Sequence, residues 1–88
     1  MSGNSFQYEL LTPQGQVAAG KARYAELPGE EGRLGILAGH QPALIGLSTG
    51  TLRIQTHEEG IREWSVSRGV ATITPDHMLI LAREARPA

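Results

Sequence analysis

Short segments in which apolar and polar residues alternate, separated by glycine and proline turns, make up most of this 88-residue sequence. Phe6, Tyr8 and Leu10 alternate with polar residues, and Leu52 and Ile54 do the same further along. Successive side chains of a β-strand point to opposite faces, so this two-residue period indicates strands with one buried face. Turn signals recur about every 8–12 residues, the spacing of a β-sandwich or barrel, and no segment keeps a helical period. The sequence therefore predicts a single all-β domain.

Four turns are predicted from their residue types, because proline presets one backbone angle and glycine adopts conformations that other residues avoid. These turns lie at Thr12–Gly15, Pro28–Gly29, Glu58–Gly60 and Pro75–Asp76. The last two each separate a pair of β-like segments and therefore predict β-hairpins.

Other stretches have less regular patterns. Val17–Ala19 and Ala22–Leu27 are short and weakly patterned. Met78–Ala82 is apolar at every position, which predicts a strand that is covered on both faces. The tail, Glu84–Ala88, is predicted to be frayed.

The charge balance argues against a nucleic-acid partner. The formal net charge is −1 and the sequence pI is about 6.3. The eight lysine and arginine residues are spread along the chain and offset by acids, whereas a nucleic-acid-binding protein usually gathers them on one face.

Cysteine is absent from the sequence, which excludes disulfides, thiolate metal sites and a cysteine nucleophile. The N-terminal stretch MSGNSFQYE lacks the apolar segment of a signal peptide. The longest apolar run, Met78–Ala82, is too short to cross a bilayer. These observations predict a soluble intracellular protein.

The segment Glu31–Leu44, with the sequence EGRLGILAGHQPAL, places three glycines and one histidine among apolar residues. A P-loop needs a lysine and a hydroxyl residue after its last glycine, and a dinucleotide-binding fingerprint needs G-x-G-x-x-G at the start of a helix. Neither pattern is present, so we expect no phosphate or nucleotide site here. The glycines are interpreted as turn and bulge residues.

No motif for metal binding or catalysis is found. His40, His57 and His77 lie far apart in sequence, and the start of an H-E-x-x-H motif at His57 ends on Ile61. The sequence also lacks the G-x-S-x-G elbow of serine hydrolases. The carboxylates fall mostly in turns or on polar faces, where nothing would tune their pKa for general acid–base work. We therefore expect no catalytic residue, no metal and no cofactor.

The Glu31–Leu44 segment and several others resemble the epsilon subunit of F-type ATP synthases. The central resemblance is to the pattern P-G-x-E-G-E-L-G-I-L-P-G-H-A-P-L, and shorter matches follow in register. The matching segments are Leu10–Pro13, Gly20, Pro28–Pro42, Leu47–Ile54, Ser67–Gly69 and Leu79–Ala82. Together they cover nearly the whole chain, from about Phe6 to Arg83.

The resemblance implies a roughly ten-stranded β-sandwich as a single domain over residues 1–88, with its core at about 6–83. It further implies a non-catalytic subunit of the central stalk. Such a subunit binds the gamma subunit and the membrane c-ring, rotates with both and couples ion flow to ATP synthesis. Contact with the membrane is then indirect, at the cytoplasmic face of a bacterial inner membrane.

The resemblance also assigns candidate contact residues. The residues expected to contact gamma are Thr12, His40, Gln41, Pro42, Ser67 and Thr72. The residues expected to contact the c-ring are Glu31, Gly32 and Arg33.

The sequence departs from the family pattern at several positions. Arg33 stands where the family has an acid, Arg68 where it has a glycine, and Ala38 where it has a proline. Family members also continue into a two-helix domain that inhibits ATP hydrolysis and in some members binds ATP. This sequence stops at Ala88, so we expect neither that domain nor a bound nucleotide.

Two other functions remain open at this stage. A free-standing β-sandwich adaptor or ligand-binding module on the same scaffold would be indicated by an enclosed apolar pocket with converging polar groups. A small hydrolase would need a perturbed acid or histidine in a cleft.

Overall fold

The structure, a computed structural model, describes residues 5–88. These residues form nine β-strands. The strands are β1 (Phe6–Thr12), β2 (Gly15–Gly29), β3 (Gly32–Leu37), β4 (Ala43–Leu47), β5 (Gly50–Thr56), β6 (Ile61–Val66), β7 (Gly69–Thr74), β8 (His77–Ala82) and β9 (Ala85–Pro87). Nowhere in residues 5–88 is there a helix that could span a membrane.

The strands form two layers that share β2. The first layer runs β4-β7-β8-β1 and ends on the first half of β2, which pairs with β1 through residues 15–22. The second layer runs β3-β2-β5-β6-β9 and uses the second half of β2, which pairs with β3 through residues 24–29. All the pairings are antiparallel except that of β1 with β8. The predicted all-β sandwich is confirmed.

The strand count differs slightly from the expected ten because β2 is longer than its pattern indicates. Val17–Ala19 and Ala22–Leu27 belong to one strand of 15 residues. The register with β5 shifts between Ala22 and Tyr24, where the strand passes from the first layer to the second. A strand that changes layers also changes which of its faces is buried, and this explains its weak alternation.

A single antiparallel ribbon joins the layers a second time. In β6–β9 Val66 pairs with Ala85, and in β7–β8 Gly69 pairs with Ala82, with the same register in both ladders. Between them, the Arg83 N–H donates to the Arg68 carbonyl at 3.0 Å, and the Ser67 N–H donates to the Glu84 carbonyl at 3.0 Å. We call residues 67–68 and 83–84 the ribbon corner. The prediction that the tail Glu84–Ala88 is frayed is therefore wrong, because Ala85–Pro87 pair with β6 beyond this corner.

The core lies between the layers and takes alternate residues from both. Leu10, Ile73 and Ile80 come from the first layer, and Leu27 and Ile54 from the second, each with at most 1% of its surface exposed. Met78, Ile80 and Ala82 are buried as well, but Leu81 between them is 43% exposed. The prediction that Met78–Ala82 is covered on both faces is therefore wrong for this chain taken alone.

Three of the four predicted turns are confirmed. The chain turns at Pro13–Gln14, between β5 and β6 at residues 57–60, and at Pro75–Asp76. The predicted turn at Pro28–Gly29 is wrong, since these residues end β2 and pair with Arg33 and Gly32. The turn falls at Glu30–Glu31 instead. The β5 pairing stops at Glu26, so the missing N–H of Pro28 leaves no ladder bond unmade on that side.

Tyr8 makes the stability of the fold sensitive to alkaline pH. Burial raises the pKa of the Tyr8 phenol above its usual 10.0, and the nearby Arg62 guanidinium opposes this only in part. The unfolded chain therefore ionises first, so the free energy of unfolding is maintained below about pH 10 and falls above it. Urea denaturation between about pH 9 and pH 11 tests this, and Tyr8→Phe is expected to flatten the decline.

The matched variant for the Tyr8 experiment is Tyr24→Phe, which leaves Tyr8 as the only tyrosine of the chain. Phenolate absorbance in this variant then reports the ionisation of Tyr8 alone. A titration midpoint at or below the usual value of 10.0 would contradict the prediction.

Candidate functional site

The outward side of the first layer is apolar over much of its width. The register places Leu44 beside Thr72 and Thr72 beside Leu79, and a second row contains Val70, Leu81 and Leu11. We call these six residues the apolar face. Leu44 is 74% exposed and Leu81 is 43% exposed. Large apolar side chains that are neighbours on one exposed face indicate a surface that another protein covers.

Thr72, one of the residues expected to contact gamma, lies exposed at the centre of the apolar face between Leu44 and Leu79. The other five lie at the two ends of the same layer. His40, Gln41 and Pro42 immediately precede β4, at the end formed by the β7–β8 turn. Thr12 follows Leu11 at the opposite end, where Ser67 forms part of the ribbon corner. The fold thus gathers all six residues on or around one surface.

Local hydrogen bonds fix the loop that carries His40. Gly39 has φ +84°, a conformation that favours glycine, and its N–H donates to the Pro75 carbonyl at 2.7 Å. The His40 N–H donates to the Leu37 carbonyl at 3.2 Å, and His40 Nδ1 lies 2.6 Å from the Gln41 carbonyl oxygen. Gln41 and Pro42 are exposed. The loop is therefore held against the β7–β8 turn and presents Gln41 and Pro42 to solvent.

Two of the expected contact residues already use their hydroxyl groups within the fold. Ser67 Oγ accepts a hydrogen bond from the Glu84 N–H at 2.9 Å. Thr12 Oγ1 accepts one from the Gln14 N–H at 3.2 Å. The match of Ser67 and Thr12 to the family pattern therefore has a partly structural explanation, since Ser67 stabilises the ribbon corner and Thr12 the β1–β2 turn.

The residues expected to contact the c-ring form the β2–β3 turn. Glu30 and Glu31 are exposed at its tip, and Gly32 follows with φ +127°. The turn borders an open cavity of about 450 Å³ whose other wall is Leu44, Ile45 and Gly46 of β4. Strand β4 therefore borders this acidic turn and also contributes Leu44 to the apolar face.

Arg33 directs its charge away from the tip of that turn. Its Nη2 lies 3.3 Å from Glu26 Oε1, and its Nη1 donates to the Thr51 carbonyl at 2.9 Å. Both partners belong to the second layer. The turn therefore keeps an acidic character, with Glu31 exposed at its tip and the exposed Glu30 carboxylate lying over Gly46 of β4, although Arg33 replaces the acid of the family pattern.

Gly35, in the middle of the glycine-rich segment, has a role in packing. A Cβ atom there would lie 2.7 Å from the Tyr24 hydroxyl oxygen, so the Tyr24 side chain lies over Gly35 on the second layer. The close approach of the Tyr24 ring thus explains why this position is a glycine.

Residues that the sequence analysis did not single out form most of the apolar face. These residues are Leu11, Leu44, Val70, Leu79 and Leu81. They lie on four different strands and become neighbours only through strand pairing, so no local pattern in the sequence reveals them. One sequence feature does indicate such a face. Met78–Ala82 is apolar at every position, whereas a strand with one face in water would alternate apolar and polar residues.

The described residues contain few buried polar groups and no cluster of metal-ligand side chains. Within residues 5–88 no group of three or more His, Asp or Glu side chains could hold a metal ion. Thr56 is the buried polar residue of this part of the chain, and its hydroxyl donates to the Gly60 carbonyl at 2.6 Å and accepts from the Glu59 N–H at 2.8 Å. Its hydrogen bonds link the ends of the β5–β6 turn and are structural.

Comparison with known proteins agrees with the β-sandwich fold. Residues 5–88 match the family model described as the ATP synthase Delta/Epsilon chain beta-sandwich domain. The ATP synthase epsilon chain of Granulibacter bethesdensis is 33% identical over 79 residues, which cover 90% of this chain and 58% of the relative. The chloroplastic epsilon chain of Tetradesmus obliquus is 34% identical over 84 residues, which cover 96% of this chain and 61% of the relative. The chain thus spans about three fifths of these relatives.

Solved structures share the fold. A chain in the Euglena gracilis mitochondrial ATP synthase structure, described as OSCP/F1/c-ring, aligns with a TM-score of 0.88 at 21% identity, over 96% of this chain and 54% of the other. A chain in the Tetrahymena thermophila mitochondrial ATP synthase central stalk and c-ring aligns with a TM-score of 0.77 at 18% identity, over 93% and 66% respectively. On the match of residues 5–88 to the family model, the chain belongs to the delta/epsilon chain family of ATP synthases.

Proposed function

We propose that this chain is a non-catalytic rotor subunit of a rotary ATP synthase, that it binds the gamma subunit through the apolar face, and that it contacts the c-ring through the β2–β3 turn. In this role it couples ion-driven rotation to ATP synthesis on other subunits. It binds no nucleotide, and it lies at the cytoplasmic face of a bacterial inner membrane without entering the bilayer.

The observation that carries the proposal is the apolar face. A single chain gains nothing from leaving Leu44 74% exposed on the same face as the exposed Leu81, whereas a partner that covers both removes apolar area from water. The six residues expected to contact gamma surround this face or lie on it. A central-stalk partner would thus use one contiguous surface.

The acidic turn supports the second contact. Glu30 and Glu31 are exposed in a tight turn that Gly32 closes, the Glu30 carboxylate lies over Gly46 of β4, and the neighbouring cation Arg33 is engaged by Glu26. Such a turn is complementary to a basic loop on the partner. Its position beside β4 allows contact with a ring and with gamma at the same time.

The adaptor or ligand-binding alternative has less support. The cavity beside the β2–β3 turn is open, and charged side chains and backbone line much of it. A small-molecule site would instead be an enclosed, mostly apolar pocket with a few converging polar groups. The exposed surface of this chain fits a protein partner better.

Gel filtration with light scattering tests the proposal. The 9.4 kDa chain is expected to co-elute with the gamma subunit from the same source as a one-to-one complex, and also with gamma bound to the detergent-solubilised c-ring. Calorimetry with Mg²⁺-ATP serves as the control and is expected to show no heat of binding. Elution of the chain apart from gamma would contradict the proposed function and favour the adaptor alternative.

A further inference from the structure

Arg68 and Arg83 lie directly opposite each other at the ribbon corner. The register that pairs Gly69 with Ala82 continues by one residue, and the Arg83 N–H donates to the Arg68 carbonyl at 3.0 Å. Opposite residues of an antiparallel pair point to the same side, and both arginines line the same two grooves. Both arginine side chains thus border the same grooves on one side of the ribbon corner.

Within residues 5–88 no carboxylate forms an ion pair with Arg68 or Arg83. All nine Asp and Glu residues lie within residues 5–88, and neither arginine takes part in any of the ion pairs that these residues form. Glu84 follows Arg83 and lines one of the two grooves, but it forms no ion pair with either arginine. Like charges directly opposite each other on adjacent strands destabilise the pairing. The free chain therefore places two unpaired cations on one exposed groove, where an outside anion would be attracted.

The arginine pair is continuous with the apolar face. Val70 and Leu81 form the outward pair of the ribbon, and Arg68 and Arg83 form the next outward pair, two residues along each strand. Leu11 and Leu81 line a groove together with both arginines. A partner element that covers Leu81 therefore passes directly over the guanidinium groups.

We infer that the element of gamma that covers the apolar face carries a carboxylate, flanked by apolar side chains, that binds between Arg68 and Arg83. This inference rests on the proposed function and adds the chemistry of the partner. A planar guanidinium binds a carboxylate through two parallel hydrogen bonds, and two of them at one site select strongly for an acid. The arginine pair at this corner thus determines which gamma subunit the chain accepts.

The variant Arg83→Glu separates this role from a structural one. It converts the repulsive pair into an attractive pair, so the melting temperature of the free chain is expected to rise by about 1–4 °C. The same change places a carboxylate against that of gamma, so the affinity for gamma is expected to fall about tenfold or more, mainly through slower association. A purely structural residue would not raise stability and weaken binding together.

The matched control is Arg86→Glu, the same change in charge on β9 of the same ribbon, where Arg86 pairs with Ser65 in the second layer. Both variants and the wild type are titrated with gamma at low and high salt. Weaker binding by Arg83→Glu alone, with a smaller dependence on salt, supports the inference. Equal affinity of Arg83→Glu and wild type, or an equal loss in Arg86→Glu, would overturn the inference and leave gamma binding itself intact. Absence of wild-type binding would overturn both.

Discussion

The double variant Leu44→Asp/Leu81→Asp is expected to lose gamma binding by at least about 100-fold, equivalent to about 2.7 kcal/mol, and to remain folded. Leu44 and Leu81 are 74% and 43% exposed in the free chain, so aspartate there costs the fold little. In the complex the introduced carboxylates would be removed from water against apolar side chains, and only the one at position 81 would have cations, Arg68 and Arg83, in its groove. Titration calorimetry gives the affinity, and thermal unfolding of the free variant reports its stability.

The second layer offers a matched control for this experiment. Leu37 and Ile61 are 60% and 54% exposed, and they lie in β3 and β6, away from the apolar face. Leu37→Asp/Ile61→Asp makes the same chemical change at similar exposure and is expected to leave gamma affinity unchanged. Equal losses in the two double variants, or wild-type affinity in the first, would remove the apolar face from the interface.

The variant Gly69→Ala is expected to reduce the free energy of unfolding by about 3 kcal/mol, the upper end of the range for overpacking. A Cβ atom at Gly69 would lie 2.0 Å from the Leu81 carbonyl oxygen and 2.9 Å from Ala82 Cα. These are backbone atoms of the paired strand, so no side-chain rotation relieves the clash and the ladder must shift. A domain of this size has a total stability of roughly 4–13 kcal/mol, so the loss is a large fraction of it.

The control for this variant is Gly46→Ala. Its added Cβ would meet the carboxylate of Glu30 at 2.5 Å, but Glu30 is exposed and its flexible side chain can move into solvent. Urea denaturation of both variants is expected to show a loss below about 1 kcal/mol for Gly46→Ala. Similar urea midpoints for the two variants would contradict the prediction and mean that the β7–β8 ladder can shift to accommodate a methyl group at position 69.

The sequence predicts much of the fold because local patterns encode most of it. Alternation identifies the buried faces of β1 and β5, and the residue types at Glu58–Gly60 and Pro75–Asp76 identify two hairpins. These features depend on neighbours within a few residues. The Pro28–Gly29 turn was misplaced because the extent of the β5 pairing, which lies outside that segment, decides whether a proline can remain in the strand.

The features of the candidate site depend on strand register, which local patterns do not specify. The apolar face combines Leu11, Leu44, Val70 and Leu81 from four strands, and only the pairing brings them together. Arg68 and Arg83 are distant in sequence, and the register of the β7–β8 hairpin places them opposite each other. The contacts assigned from the family resemblance stay predictions, although the fold gathers the gamma set around one surface.

The ribbon also has a mechanical consequence. Backbone hydrogen bonds persist across the change of layer along β2 and at the ribbon corner, and further ones join β4 of the first layer to the end of β2. Sliding one layer over the other would therefore require breaking main-chain bonds, and not only rearranging side chains in the core. A sideways force applied at the apolar face is carried into the far layer with little internal shear. The domain is therefore expected to resist internal shear better than a sandwich whose layers touch only through side chains.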